Sequence, residues 1–193
     1  MESKGEVNIS PRYKKEDYLC LNLSEQSSDR DWNKAIDILK DRIEGRYFNQ
    51  IDLLSHDINA NGFTIMALNC LLIEALYQFK EGKKQTGNNK VEYSTFLTQA
   101  FPGEFNTKHL AQRFYSDIRC GILHSAQTYN ESRLSDREDF VVKSENGILL
   151  VSVKRISALL RTYFDSYVDK LLDHKNLELR KMFIEKMHYV CKE

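Results

Sequence analysis

The chain reads as an all-α protein, a helical bundle carrying one small β-hairpin, and three observations predict this. Apolar residues recur at helical spacing through most of its length. Only 2 prolines and 8 glycines punctuate the 193 residues, too few for a many-stranded sandwich, which needs turn residues at short regular intervals. One stretch alone has strand character: Phe140-Val141-Val142 and Ile148-Leu149-Leu150-Val151 flank Ser144-Glu145-Asn146-Gly147, the pattern of two short strands about a tight turn.

The elements follow in order. Residues 1–28 are polar with few apolar anchors and read as an N-terminal arm, ordered late or by contact; residues 29–193 read as a single helical domain. Ser27, Ser28 or Asp29 can cap a helix in which Trp32, Ile36, Leu39 and Ile43 form an apolar stripe, and residues 47–56 suit a second short helix. Asn61-Gly62 opens the most apolar segment, residues 63–79, whose Ile65, Met66, Leu68, Leu71, Leu72, Ile73, Leu76 and Tyr77 are spread around the helix. An all-round apolar helix is central to a bundle or lies in a membrane. Asn69 and Glu74 interrupt a stretch already shorter than the roughly 20 apolar residues of a span, so it reads as the core helix, the most buried in the protein, and no membrane is expected.

Residues 81–90 read as a loop and 94–100 as a short helix stopped by Pro102-Gly103. Thr107 can cap the next helix, with Leu110, Phe114 and Ile118 inward, and residues 125–139 read as exposed loop. After the hairpin come helices over 153–174, with Ile156, Leu159, Leu160, Tyr163, Tyr167 and Leu171 on one face, and over 177–191, with Leu179, Phe183 and Met187.

Hydrophobic residues make up 41% and charged residues 29% of the chain, as in a globular protein that buries a core. Its 28 basic and 28 acidic residues balance, so no global field draws it to nucleic acid or an anionic membrane, and a nucleic-acid substrate would need a local basic patch. Lys80, Lys83 and Lys84 on one helix, with Arg113 and Arg119 on another, are the candidates, though such charges commonly make a solvated face. Cys20, Cys70, Cys120 and Cys191 show neither a close pair nor zinc-finger spacing; reduced thiols in the cytoplasm are the simplest reading. His56, His109, His174 and His188 have no paired ligand spacing, so neither a metal nor another cofactor is implied.

The richest chemistry lies in Phe114-Tyr115-Ser116-Asp117-Ile118-Arg119-Cys120-Gly121-Ile122-Leu123-His124. It sets a permanent cation and a group titrating near neutral pH close to a helix end, the equipment for phosphodiester chemistry without a metal. Five positions on an ideal helix turn through about 140° and rise about 7.5 Å, so Arg119 and His124 would not share a face of a regular helix. A kink at Gly121, or His124 lying just past the helix end, would let both reach one cleft. Equally, an arginine can pair with a carboxylate and a histidine near a helix C-terminus can complement the dipole.

This string resembles the Arg-x4-6-His signature of the HEPN superfamily, small helical domains that include metal-independent RNases of prokaryotic defence and toxin systems. The resemblance implies a HEPN-like bundle over roughly residues 30–174, with Arg119 and His124 catalytic across a homodimer cleft, RNA as substrate and an antitoxin or other protein as partner. Cys120 departs from the Asn, Asp or His common after the arginine in active members, and Ala126 stands where some toxin branches have tyrosine. The expected function is a metal-independent endoribonuclease; the alternative is a non-catalytic dimerisation or binding module of the same type, or a plain structural adaptor.

Supporting residues are weaker. Asn69 and Glu74, buried in the core helix, each need a partner, and Glu74 could orient Arg119 or simply make a structural bond. Cys120 reads as a reactive thiol beside Arg119 or as a small buried hydrophobe. Tyr115, Tyr129 and Phe114 could stack on bases, with Phe114 also suited to the core.

Overall fold

A computed structural model describes residues 7–192; residues 1–6 of the expected arm lie outside that range. The described residues fall into two compact units, one made of residues 7–50, 78–85 and 164–192, the other of Ile51–Tyr77 and Thr86–Tyr163. In chain order the helices are α1 (Lys15–Leu19), α2 (Asp29–Ile43), α3 (Asn49–Leu54), α4 (Ile58–Glu81), α5 (Asn89–Ala100), α6 (Lys108–Arg113), α7 (Cys120–Ser125), α8 (Val153–Leu172) and α9 (Leu177–Lys192). Two widened π-type turns, Glu44–Phe48 and Phe114–Arg119, join α2 to α3 and α6 to α7 without a break. The strands β1 (Arg133–Ser135), β2 (Val142–Glu145) and β3 (Ile148–Ser152) precede α8.

In the first unit, α2 begins where its cap predicts: the Ser28 hydroxyl accepts the Asp31 amide at 3.3 Å. Trp32, Ile36, Leu39 and Ile43 are all buried, and Trp32 and Phe79 pack against Phe183 of α9 with ring centroids 5.6 and 6.1 Å apart. Arg180 is buried beneath this cluster, 4.4 Å over the Trp32 ring, and donates to the carbonyls of Leu171 and Leu172. It thereby satisfies acceptors that the end of α8 leaves open.

Residues 7–28 carry anchors that their polar composition hides. Ile9 and Tyr18 are each only 2% exposed. Ser10 and the Arg12 backbone donate to Asp41 Oδ2 at 2.7 and 2.8 Å, and Pro11 lies so close to Gly45 that a Cβ there would sit 2.5 Å from its Cγ. Sparse anchors suffice when each is fully buried.

The second unit is built on α4. Ile65, Met66, Cys70, Leu72, Ile73 and Leu76 are at most 1% exposed, and α5 lays Tyr93, Phe96 and Leu97 into the same core. Tyr93 stacks on Phe114 with centroids 6.4 Å apart, and Phe105 meets Phe114 edge-on at 5.4 Å. The core reading of α4 holds for three sides only, because Phe63 and Leu71 remain 46% and 42% exposed. Helix continues through Asn61-Gly62 instead of starting there. One glycine in a helix interior costs about 1 kcal/mol, which the burial of the residues that follow outweighs.

The helix run Asp29–Glu81 contains an 18-residue window of mean hydropathy 1.4, half of it buried, long and apolar enough by composition to cross a membrane. Two polar side chains in it bond to other parts of the protein, however: Asn69 Nδ2 donates to Ser157 Oγ at 2.9 Å, and Glu74 receives Arg119.

The expected hairpin is β2–β3, antiparallel with Val142 opposite Val151 and Glu145 opposite Ile148. Asn146 and Gly147 turn it with φ of 50° and 80°, the left-handed pair that a two-residue hairpin loop requires. A correction to the all-α reading follows: the fold is mostly helical with a three-stranded sheet of order β1-β3-β2. β1, within residues 125–139 read as loop, pairs parallel to β3 with Leu134 opposite Val151. Three residues are too few to show an alternation.

Candidate active site

Every residue of the candidate site belongs to the second unit. Thr107 caps α6, its hydroxyl accepting the Leu110 amide at 3.1 Å, and the helical run then widens: the Cys120 amide donates to the Tyr115 carbonyl, five residues back. Arg119 is the last residue of this wide turn. His124 lies inside α7, whose cap Ala126 is left-handed at φ 52°. His124 is therefore not beyond the helix end, and the departure from a regular helix lies in the wide turn just before Gly121.

Arg119 Nη1 nevertheless lies 3.5 Å from His124 Nε2. The same guanidinium donates through Nη2 to Glu74 Oε2 at 3.0 Å, with the two side chains 12% and 20% exposed, and sits 5.4 Å from the Tyr115 ring centroid. Tyr115 in turn meets Tyr93 edge-on at 5.4 Å. Burial works against the charge on Arg119, but hydrogen bonding and attraction from Glu74 outweigh it and hold its pKa above the ordinary arginine value. His124 is exposed. The arrangement is a fixed cation, buttressed from behind by a carboxylate and an aromatic face, beside an accessible imidazole.

Of the weaker candidates, Glu74 joins Arg119 and Asn69 does not, being fully buried and bonded to Ser157. Cys120 is part-buried; burial, and then the nearby Cys120 thiol, raise the Tyr115 hydroxyl above its ordinary pKa. Cys70 forms the floor, pushed up to about 12 by complete burial and so inert as a nucleophile. Phe114 is core, 0% exposed.

Asp117 is the residue that sequence reasoning missed. Buried at 2% exposure, it accepts from Arg113 Nε at 3.1 Å, Asn130 Nδ2 at 2.8 Å and Ser132 Oγ at 3.2 Å, while its carbonyl takes the Tyr129 amide at 2.9 Å. This pins the chain returning from α7 against the helix that carries Arg119. Its signal was the i, i+4 spacing from Arg113.

Gly121 serves the same return. A Cβ there would lie 2.4 Å from the Gln127 carbonyl oxygen, so glycine allows the backbone of residues 127–129 to lie directly on α7. Among the described residues no group of three or more His, Cys, Asp or Glu is placed to hold a metal ion. Comparison with family models, with curated proteins and with solved structures finds no match to the chain.

Proposed function

We propose that the chain is a HEPN-type, metal-independent endoribonuclease of the cytoplasm that acts through Arg119 and His124 as a homodimer. The observation that carries this reading is the 3.5 Å approach of Arg119 to His124 with Glu74 bonded to the far side of the guanidinium. Cleavage joins the ribose 2′-oxygen to phosphorus, releases the 5′-oxygen and leaves a 2′,3′-cyclic phosphate. Arg119 would grip the phosphoryl oxygens as charge builds there, and His124 would carry the proton. One imidazole cannot serve as base and acid in the same event, so a second copy supplies the other His124. The uncovered face of α4 supports dimerisation here, because Phe63 and Leu71 stand exposed along the helix that carries Glu74. A toxin or defence role, with an antitoxin-like protein as partner, belongs to this reading.

The test incubates purified wild type, Arg119→Ala and His124→Ala with mixed RNA in EDTA. Cleavage by the wild type to cyclic-phosphate ends, reduced about a hundredfold or more in each variant, is the expected result. Arg119→Lys should not restore it, since an ammonium cannot grip two oxygens in one plane. Equal cleavage by all three refutes the assignment.

One observation favours a second reading, a non-catalytic dimerisation or binding module of the same type. Glu74 already occupies one arm of Arg119 and offsets its charge. No cleavage of any RNA by a dimeric wild type selects it.

A further inference from the structure

The second unit contains a cleft of about 400 Å³ framed by the start of α5, by α6 and the wide turn after it, by the return segment at Asn130 and by the hairpin turn at Gly147. Every side chain that lines it is polar or charged, and neither Arg119 nor His124 is among them. We infer that this cleft binds a ribose phosphate, as a free sugar phosphate or as a unit of an RNA chain. The inference does not rest on the nuclease reading, which uses other residues.

The cleft holds polar groups that the protein itself does not use. Arg113 is fixed by Nε to Asp117 Oδ2 at 3.1 Å and by Nη1 to the Gly147 carbonyl at 2.8 Å, while both N–H groups of its Nη2 stay unbonded among the described residues. Asn130 donates Nδ2 to Asp117 Oδ1 at 2.8 Å; because a carboxylate only accepts, this sets the amide's orientation and leaves its Oδ1 open as an acceptor. Lys90, His109, Gln112 and Ser116 make no side-chain hydrogen bond among the described residues. The serine is the most telling of these. Ser94, Thr98, Ser157 and Thr162 each turn back to a carbonyl of their own helix, whereas Ser116, half-buried within the wide turn, does not. Wide turns of this kind occur frequently at functional sites.

Charge and lining select the ligand. Asp117 is answered by Arg113, its i, i+4 partner at 3.1 Å, so Lys90 supplies a positive charge that nothing in the lining cancels. The open edge of a fixed guanidinium beside an ammonium suits a phosphate. Small-molecule sites of roughly 300–1,000 Å³ are lined mainly by apolar and aromatic side chains, and this cleft reaches that size with none. Its ligand is therefore polar throughout and larger than phosphate alone. The hydroxyls of a sugar meet these terms: Gln112 and Ser116 can donate to them or accept from them, and Asn130 Oδ1 can accept. A nucleobase finds no aromatic face in the lining and stays outside.

Isothermal titration of the full chain with ribose 5-phosphate, ribose and inorganic phosphate, at constant ionic strength, tests the assignment. Saturable binding of ribose 5-phosphate is expected, about tenfold or more tighter than either fragment. A 5′-phosphorylated RNA trinucleotide, titrated into His124→Ala so that it stays intact, separates the two sources. Tighter binding than ribose 5-phosphate assigns the unit to an RNA chain, and weaker binding assigns it to a free sugar phosphate. Ser116→Ala and Lys90→Gln, each checked for folding by circular dichroism, should weaken binding of the tighter ligand about tenfold. Lys108→Gln, exposed and outside the lining, should not. No saturable binding of either ribose 5-phosphate or the trinucleotide overturns the inference, as does an equal loss in the Lys108 control. Inorganic phosphate bound as tightly as both overturns it as well, because the sugar then contributes nothing.

Discussion

Gly121→Ala separates helix propensity from packing, because the two predict opposite signs. In a helix interior the change normally stabilises by about 1 kcal/mol, and Gly121 lies within α7 at a φ that any residue adopts. The structure reverses this. The new Cβ would stand 2.4 Å from the Gln127 oxygen, 3.2 Å from Thr128 Cα and 3.3 Å from the Tyr129 nitrogen. All three are backbone atoms, so no side chain can rotate away, and the return segment must move by about 1 Å to reach ordinary contact. That segment is held by Gln127 N to Gly121 O at 3.3 Å and Tyr129 N to Asp117 O at 2.9 Å. Overpacking of this kind costs about 1–3 kcal/mol against a propensity gain of about 1 kcal/mol, for a net loss of up to about 2 kcal/mol. Thermal unfolding should show Tm lowered, by up to roughly 8 °C. Gly103→Ala, with nothing within 4 Å of its Cβ, should stay within about 0.5 kcal/mol of wild type. A Gly121→Ala protein as stable as wild type, or more so, refutes the packing account of this glycine.

Two further outcomes test the core and the arm. Leu72→Lys places an unpaired charge at a position 0% exposed and should cost several kcal/mol in urea unfolding. Leu71→Lys, one residue back and 42% exposed, should leave stability nearly unchanged while lowering the mass seen by light scattering; comparable losses of stability in both would show that α4 has no open face. At Asp41, burial opposes ionisation but the Ser10 hydroxyl, the Arg12 amide and then its guanidinium outweigh it, so the folded-state pKa is depressed. A depressed carboxyl contributes stability that is present above its unfolded value of about 3.9 and lost as pH falls through the lower folded value. Unfolding midpoints measured downward from pH 5 should therefore decline less steeply in Asp41→Asn than in wild type, and identical slopes would exclude the contribution.

Helices and strands differ in how plainly the chain announces them. Ser28 and Thr107 are side-chain caps followed by apolar residues at helical spacing, and both helices start where those residues stand. Asn146-Gly147 marks its turn because this pair readily takes the two left-handed conformations of a tight hairpin loop. β1 had no such mark: its pairing with β3 depends on a partner fifteen or more positions away. Leu71 shows the limit of periodicity. An apolar side chain reports what a position can bury, while whether anything covers it depends on the rest of the fold, and α4 keeps Leu71 exposed.

The candidate site was legible as chemistry and not as geometry. A carboxylate in an apolar helix demands a cation, and that demand alone connects Glu74 to Arg119 across 45 positions. The angle between Arg119 and its neighbours had no comparable signal. The bond from the Cys120 amide to the Tyr115 carbonyl adds one residue to a turn, which shifts everything upstream by about 100° relative to everything downstream. No residue type encodes such an insertion, so an ideal helical wheel misplaces Asp117 and Tyr115 against His124 even when each residue is correctly assigned to a helix. Within the wide turn Asp117 faces into the protein, where it takes donors from Arg113, Asn130 and Ser132. The buried carboxylate that fixes the wide turn is thus also what leaves Arg119, two residues later, beside Glu74 and His124.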